Sequence, residues 1–249
     1  MIQQNFDSKK IHSLFINTVD SLKNISPVKK LPVIDGKINR RIEHTLLKID
    51  SSLKDVDDMC RTALDNSFRS VCCMQRDTAY CKTILNNSKI LTVQVIDFPL
   101  GMNAPGLTAK EAENAVQNGA DEVDMLLDLR AIKAGDIQTA CTRINEVVAA
   151  IFPVPVKVIL ETALLSHDEI VKACAAAYGG GASFVKTSTG FSKRGASIED
   201  ISIMKSAIAD RMLIKASGGI KNNQFTEQLI SAGADVLGTS NGIACIKPE

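Results

Sequence analysis

What most constrains this chain is a cadence. From about Arg41 onward, short apolar runs alternate with longer stretches of helical periodicity. The runs fall near residues 42–46, 69–73, 90–96, 121–126, 154–160, 182–186, 212–215 and 235–238. Helical patterns separate them near 53–66, 77–87, 109–118, 136–150, 167–178, 198–209 and 222–232. Alternation of this kind is what a parallel α/β fold requires, and eight units favour closure into a single (β/α)8 TIM barrel. An open sheet of six or seven strands also fits the pattern alone. The early Gly-x-Gly-x-x-Gly turn of a dinucleotide-binding sheet is missing. The length agrees with one barrel, at 249 residues against about 250 for a typical example.

Local signals punctuate the cadence. Gly119-Ala-Asp, Gly181-Ala-Ser and Gly233-Ala-Asp each precede a strand, where a left-handed glycine ends the helix. Thr108-Ala-Lys-Glu111, Ser166-His-Asp-Glu169 and Ser197-Ile-Glu-Asp200 read as helix N-cap signatures. Ahead of the barrel, Ile11, Leu14, Phe15, Val19 and Leu22 predict an extra N-terminal helix within 8–24. Ser26–Lys37, with two prolines and a glycine, reads as a linker. The expected division is a helical extension and linker over 1–40 and the barrel over 41–249. Three placements are open to the helix: under the barrel, on its side, or against a partner subunit.

Composition removes several classes of function. Lys+Arg 29 against Asp+Glu 28 leaves no field to attract nucleic acid or an anionic membrane, and two Tyr with no Trp give few stacking platforms. No apolar run approaches the roughly 20 residues that span a bilayer, and Met1–Lys10 lacks the pattern of a signal peptide. The seven cysteines are odd in number and lie within apolar patterns, which suits reduced thiols in a cytoplasmic core. His12, His44 and His167 are far apart and no Cys-x-x-Cys occurs, so no metal is expected.

In such barrels chemistry sits at the C-terminal ends of the strands. Two lysines, Lys186 and Lys215, close the sixth and seventh strands, one βαβ unit apart. Neighbouring strands lie about 4.8 Å apart, so their ammonium groups disfavour each other's charge and at least one pKa should fall. A free lysine is neutral in roughly one molecule in 2,500 at pH 7, and lowering its pKa is a route to a Schiff-base nucleophile. The bland alternative for a lone lysine is an ion pair or a solvated end; two at matched positions favour chemistry. Asp124 lies inside the apolar fourth strand and needs cations, for which the two lysines are the natural choice. It is either a proton shuttle or a structural ion pair. Lys157 and Glu161 share a face of the fifth strand, as support for the charge network or as a local ion pair. Small-residue loops after strands six, seven and eight (Gly190, Gly218–Gly219 and Gly238-Thr239-Ser240-Asn241-Gly242) suit an anion such as phosphate.

In order along the chain stand Glu43-His44-Thr45-Leu46-Leu47, Asp97-Phe98-Pro99-Leu100-Gly101, Glu122-Val123-Asp124-Met125, Lys157-Val158-Ile159-Leu160-Glu161-Thr162, Val185-Lys186-Thr187-Ser188-Thr189-Gly190-Phe191, Lys215-Ala216-Ser217-Gly218-Gly219-Ile220 and Gly238-Thr239-Ser240. Together, over about 41–246, they resemble the deoxyribose-phosphate aldolases, a family of class I aldolases. The resemblance implies reversible cleavage of 2-deoxy-D-ribose 5-phosphate to acetaldehyde and D-glyceraldehyde 3-phosphate, in deoxyribonucleotide catabolism, without metal or organic cofactor. It implies Lys186 as Schiff-base nucleophile, Lys215 as the lysine that perturbs it and Asp124 as proton-shuttling acid. Thr45 and Leu47 fall on the substrate side, and Thr189, Gly190, Gly218, Gly219, Ser240 and Asn241 in the phosphate cradle, with Glu43, Lys157 and Glu161 in support. A homodimer or homotetramer is the family analogy. Glu43 stands where the family usually has Asp. Asp97 replaces a usual Gly and is expected to add negative charge near the rim, and Val236 and Asn241 replace Arg and Ser near the cradle. Three rival readings are a related Schiff-base aldolase acting on a different aldehyde acceptor, a silent sugar-phosphate-binding barrel and an isomerase with a carboxylate base; the last leaves the paired lysines unexplained.

Overall fold

A computed structural model describes residues 7–27 and 30–247. Positions 28–29 of the expected linker and the terminal Pro248-Glu249 lie outside the described residues. Eight parallel strands close into a barrel in sequence order: β1 (Ile42–Leu46), β2 (Ser70–Cys73), β3 (Leu91–Ile96), β4 (Glu122–Leu126), β5 (Val156–Ile159), β6 (Phe184–Lys186), β7 (Leu213–Ser217) and β8 (Val236–Thr239). Helix α1 (Ser8–Ser21) precedes them, and α2 (Leu53–Asp65), α3 (Thr78–Ile84) and α4 (Leu107–Gln117) follow the first three strands. After β4 come α5 (Leu129–Lys133) and α6 (Ile137–Ile151); α7 (His167–Gly179), α8 (Ile198–Ile208), α9 (Asn223–Ala232) and α10 (Gly242–Ile246) follow β5 to β8. Closure resolves the choice between barrel and open sheet. The run Leu129–Lys133, a separate short helix capped by Asp128, was not anticipated.

Strand alternation divides the molecule into two cores. Val71, Cys73, Val123, Met125, Val158, Val185, Ile214 and Leu237 point outward and pack with the helices in one large apolar shell. A smaller cluster, Leu47, Cys72, Val93 and Val95 with Met74 and Phe98, fills the barrel beside β1, β2 and β3. The interior beside β4 to β7 carries charged residues instead. All seven cysteines are free and buried. Among the described residues, no helix is long and apolar enough to cross a membrane.

The punctuation is mostly as the sequence indicates. Gly181 has a φ of +88°, and a Cβ there would meet the Ser26 carbonyl oxygen at 2.5 Å, so both conformation and space require glycine. Ser166 and Glu169 form the expected capping box, whereas Ser197 caps through its own oxygen while Asp200 turns to Thr162 and Arg194. Thr108 and Glu111 do not form one. Helix α4 begins at Leu107 with Gly106 at its cap. Thr108 donates to Asp97, and Glu111 accepts from the Asp97 amide and from Asn103. Asp97 is accordingly buried, with Arg143 3.7 Å away, and is not the rim charge expected from sequence. A tertiary acceptor outcompeted the local cap.

Helix α1 settles on the side of the barrel, against α7 and α8. Asp7 caps it by accepting from the amides of Lys9 and Lys10. Phe15 is fully buried, its ring 5.8 Å from that of Tyr178, and His12 Nδ1 lies 2.9 Å from the Ala207 carbonyl oxygen. The helix is therefore packed into the shell. Phe15→Ala is expected to cost about 3–5 kcal/mol, read as a lowered denaturant midpoint. An unchanged midpoint would show that α1 does not contribute to the fold.

Candidate active site

Parallel pairing sets the site's geometry. Lys186 lies opposite Lys215 across β6 and β7, and Asp124 opposite Lys157 across β4 and β5. All four point into the barrel and are buried, as is Glu43. Asp124 Oδ2 accepts from Lys186 Nζ at 2.8 Å and from Lys215 Nζ at 2.6 Å. Its other oxygen accepts from Lys157 Nζ at 2.8 Å. Three lysine amines thus converge on one carboxylate. Glu43 takes a second hydrogen bond from Lys215 and a 3.1 Å bond from the Ser70 hydroxyl. Lys157 also lies 2.8 Å from Glu122, itself held by both arms of Arg69.

Burial and charge compete at each group. Burial alone would raise the Asp124 carboxyl, but Lys157 and Lys186 outweigh it and hold it below the ordinary carboxylate value. Burial would lower the Lys157 amine, yet Asp124 and Glu122 hold it above the ordinary lysine value. At Lys215 burial wins, and the amine sits well below that value. One lysine of the pair is therefore depressed, as expected from sequence. The cause is desolvation, where the sequence suggested repulsion between neighbouring ammonium groups.

Above these groups opens a cavity of about 520 Å³ at the C-terminal ends of the strands. Lys186 and Lys215 line it, and so do Thr45, Leu47, Thr189, Gly190, Gly218, Gly219, Ser240 and Asn241. Every loop residue singled out for binding therefore reaches one space. The loops after β6 and β7 are tied closely: the Ala196 amide donates to the Ser217 and Gly218 carbonyls, and a Cβ on Gly195 would meet the Gly218 oxygen at 2.1 Å. Thr239 donates to the Ile220 carbonyl at 2.7 Å and accepts from the Asn241 amide at 2.9 Å, fixing the loop after β8.

One expected placement differs. Glu161 does not pair with Lys157 inside the barrel. Its backbone is left-handed, with φ +54°, which breaks the strand alternation after Ile159. Its carboxylate accepts instead from the amide and hydroxyl of Thr189 and so supports the loop that carries Gly190. Two exposed cations on the cavity wall, Lys48 and Lys221, were not singled out. Their only sequence signal is position, each directly following a strand-end motif. Among the described residues, metal-type ligand atoms come together at Glu43, Cys72 and Asp124. The two carboxylates there already hold lysine ammonium groups, which repel a metal ion.

A (β/α)8 barrel whose mouth holds two buried amines on one carboxylate has the form of an enzyme's active site. Comparison with known proteins is consistent with that class. The sequence model of the DeoC/LacD family aldolase matches residues 38–246. Deoxyribose-phosphate aldolase 1 of Mesoplasma florum is 41% identical over 213 residues, covering 86% of this chain and 97% of that protein. Deoxyribose-phosphate aldolase 1 of Staphylococcus aureus strain Mu50 is 42% identical over 207 residues, covering 83% and 94%. A solved structure from Coccidioides immitis superposes with a TM-score of 0.84 at 30% identity, covering 97% of both chains. The tetrameric deoxyribose phosphate aldolase of Aeropyrum pernix shares the fold, with a TM-score of 0.78 at 24% identity over 97% of each chain. The chain belongs to the DeoC/LacD aldolase family.

Asp124 and Glu122 are both held below their ordinary values. Their contribution to stability is complete above the unfolded values near about pH 4 and is lost as pH falls through the lower folded values. Asp124→Asn leaves three amines without their common acceptor. It is expected to lower stability at neutral pH by about 3–5 kcal/mol and to flatten the acid limb of a stability–pH curve. Equal curves for the two proteins would show that the carboxylate does not hold the interior together.

Proposed function

We propose that this enzyme cleaves 2-deoxy-D-ribose 5-phosphate reversibly to acetaldehyde and D-glyceraldehyde 3-phosphate through a Schiff base on Lys186. The observation that carries the reading is Asp124, hydrogen-bonded at once to Lys186 and Lys215 beneath the cavity. The neutral amine of Lys186 adds to the C1 aldehyde of the open sugar, and loss of water gives an imine. Protonated, the imine is the electron sink that carbon–carbon cleavage needs. Asp124, through a water, accepts the C3 hydroxyl proton as the C2–C3 bond breaks and glyceraldehyde 3-phosphate leaves. The C2 carbon of the resulting enamine then takes a proton, and water releases acetaldehyde and the free amine. Lys215, which shares the Asp124 oxygen with Lys186, passes protons within the same set. A mere binding protein has no use for an amine depressed by burial, as Lys215 is.

The phosphate belongs in the cradle of Thr189, Gly190, Gly218, Gly219, Ser240 and Asn241, with Lys48 and Lys221 supplying charge on the same wall. Thr45 and Leu47 face the substrate from β1 and the position just after it. Glu43, Lys157 and Glu161 act as supports. On this reading residues 41–249 form the catalytic barrel and 1–40 an extension. The reaction needs neither metal nor organic cofactor, because the protein's own amine is the electron sink. Seven buried free thiols favour a reducing cytoplasmic setting, and the family resemblance alone favours a place in deoxyribonucleotide catabolism. The family analogy favours a homodimer or homotetramer.

The test is turnover of 2-deoxyribose 5-phosphate, followed as acetaldehyde release, against 2-deoxyribose itself. The phosphorylated sugar should have the lower KM, and Lys221→Ala should raise that KM roughly tenfold with kcat nearly unchanged. Equal turnover of the two sugars would remove the phosphate from the reading.

A further inference from the structure

Among the described residues, the reaction leaves two of the buried charged residues inside the barrel unused, Arg69 and Glu122. Arg69 sits immediately before β2, and Glu122 is the first residue of β4. Both lie toward the strand starts, at the opposite end of the barrel from the cavity. Glu122 accepts from both arms of the Arg69 guanidinium and lies 2.8 Å from Lys157 Nζ. Lys157 donates to Asp124, and Asp124 is the carboxylate that Lys186 and Lys215 share. Charges of alternating sign therefore run without a gap from the floor of the barrel to its reactive end. The Phe184 ring lies beside the lower part, 5.8 Å from the Arg69 guanidinium and 5.5 Å from Lys157 Nζ.

Every element around the paired amines can be accounted for. Glu43 comes from β1, Arg69 and the thiol of Cys72 from the β2 segment, Glu122 and Asp124 from β4, Lys157 from β5, Lys186 from β6 and Lys215 from β7. From β3 the packed residues are Val93 and Val95, and β8 brings Gly238 against Lys215, none of them titratable. Among the described residues, the barrel interior thus holds three acids and four basic groups. In a dry interior an uncompensated charge is costly, so three acids favour three cations and one neutral base. Arg69 stays charged at any ordinary pH. Lys157 lies among three carboxylates, Glu122 and Asp124 at 2.8 Å and Glu43 at 3.6 Å. The neutral base is left to the Lys186–Lys215 pair.

We propose that Arg69 and Glu122 are positioning residues for the reaction, acting through Lys157 and through Glu43, which lies 3.8 Å from Arg69 and holds Lys215, to set the charge balance that leaves one of the paired amines neutral. The inference rests on the Schiff-base reading for its consequence in catalysis, while the charge count stands on geometry alone. Opposite effects follow from opposite charges. Glu122→Gln removes an anion, so the paired amines hold their protons less tightly. Arg69→Met removes a cation, so they hold them more tightly.

The experiment is the pH dependence of borohydride trapping with acetaldehyde on the full chain. The rising limb should move to lower pH in Glu122→Gln and to higher pH in Arg69→Met, each by on the order of one unit. It should return to the wild-type position in the double variant and stay there in Arg69→Lys. Shifts of the same sign, no shifts, or a double variant that fails to restore the limb would overturn the proposal, since a purely structural role predicts no compensation. Lysine ¹³Cε spectra of the wild-type protein supply a variant-free readout should the single variants not fold. One interior amine should be neutral near pH 7, and three protonated interior lysines would overturn the proposal. If wild type gives no adduct at any pH, the Schiff-base reading fails, and these spectra alone judge the charge count.

Discussion

Three lysines on one buried aspartate is the interaction on which the rest of the structure depends. The interior of a (β/α)8 barrel is ordinarily filled by branched apolar side chains. Here Asp124, Glu43, Lys157, Lys186 and Lys215 occupy that space beside five of the eight strands, and all are removed from water. Desolvating so many charges is costly unless each finds its counter-charge at hydrogen-bond distance. The parallel register supplies that distance, with Lys186 beside Lys215 and Asp124 beside Lys157. A slip of one residue in any of these strands would turn a charged side chain into the apolar shell outside.

The apolar shell makes such an interior tolerable. Outward-facing residues of the strands and the inner faces of the helices form one continuous core, and a second cluster closes the barrel beside β1 to β3. Stability comes mainly from these regions, where burial is not opposed by charge. The reactive end is correspondingly free to hold Lys215 where burial disfavours its protonation. Above it the loops after β6, β7 and β8 are braced by Glu161, by the close approach of Gly195 to Gly218, and by Thr239. The cavity wall is thereby held in place before any substrate arrives, which lowers the ordering cost of binding.

Much of this was legible in the sequence because polar residues inside apolar strands are costly and hence conspicuous. Lys186, Lys215 and Asp124 stood out for that reason, and the eight-fold cadence gave the barrel. The departures share a cause, which is tertiary partners that spacing does not reveal. Thr108 and Glu111 look like a capping box, yet Asp97 and Asn103 recruit them. Glu161 lies in register with Lys157 only if the strand continues, and a left-handed residue ends it. Arg69 and Glu122 stand near strand starts, where charged residues resemble loop ends. Lys48 and Lys221 are exposed lysines in loops, without periodicity to mark them. The depressed lysine was anticipated, but its main cause is burial depth, which is a property of the closed barrel.

The central claim is that an amine in this charged interior becomes a covalent catalyst. Borohydride reduction in the presence of acetaldehyde, followed by mass spectrometry of the lysine-bearing peptides, tests it most directly. The account predicts a reduced ethyl adduct on Lys186 that is lost in Lys186→Ala. An adduct confined to Lys215 or to surface lysines, or no adduct at all, would contradict it.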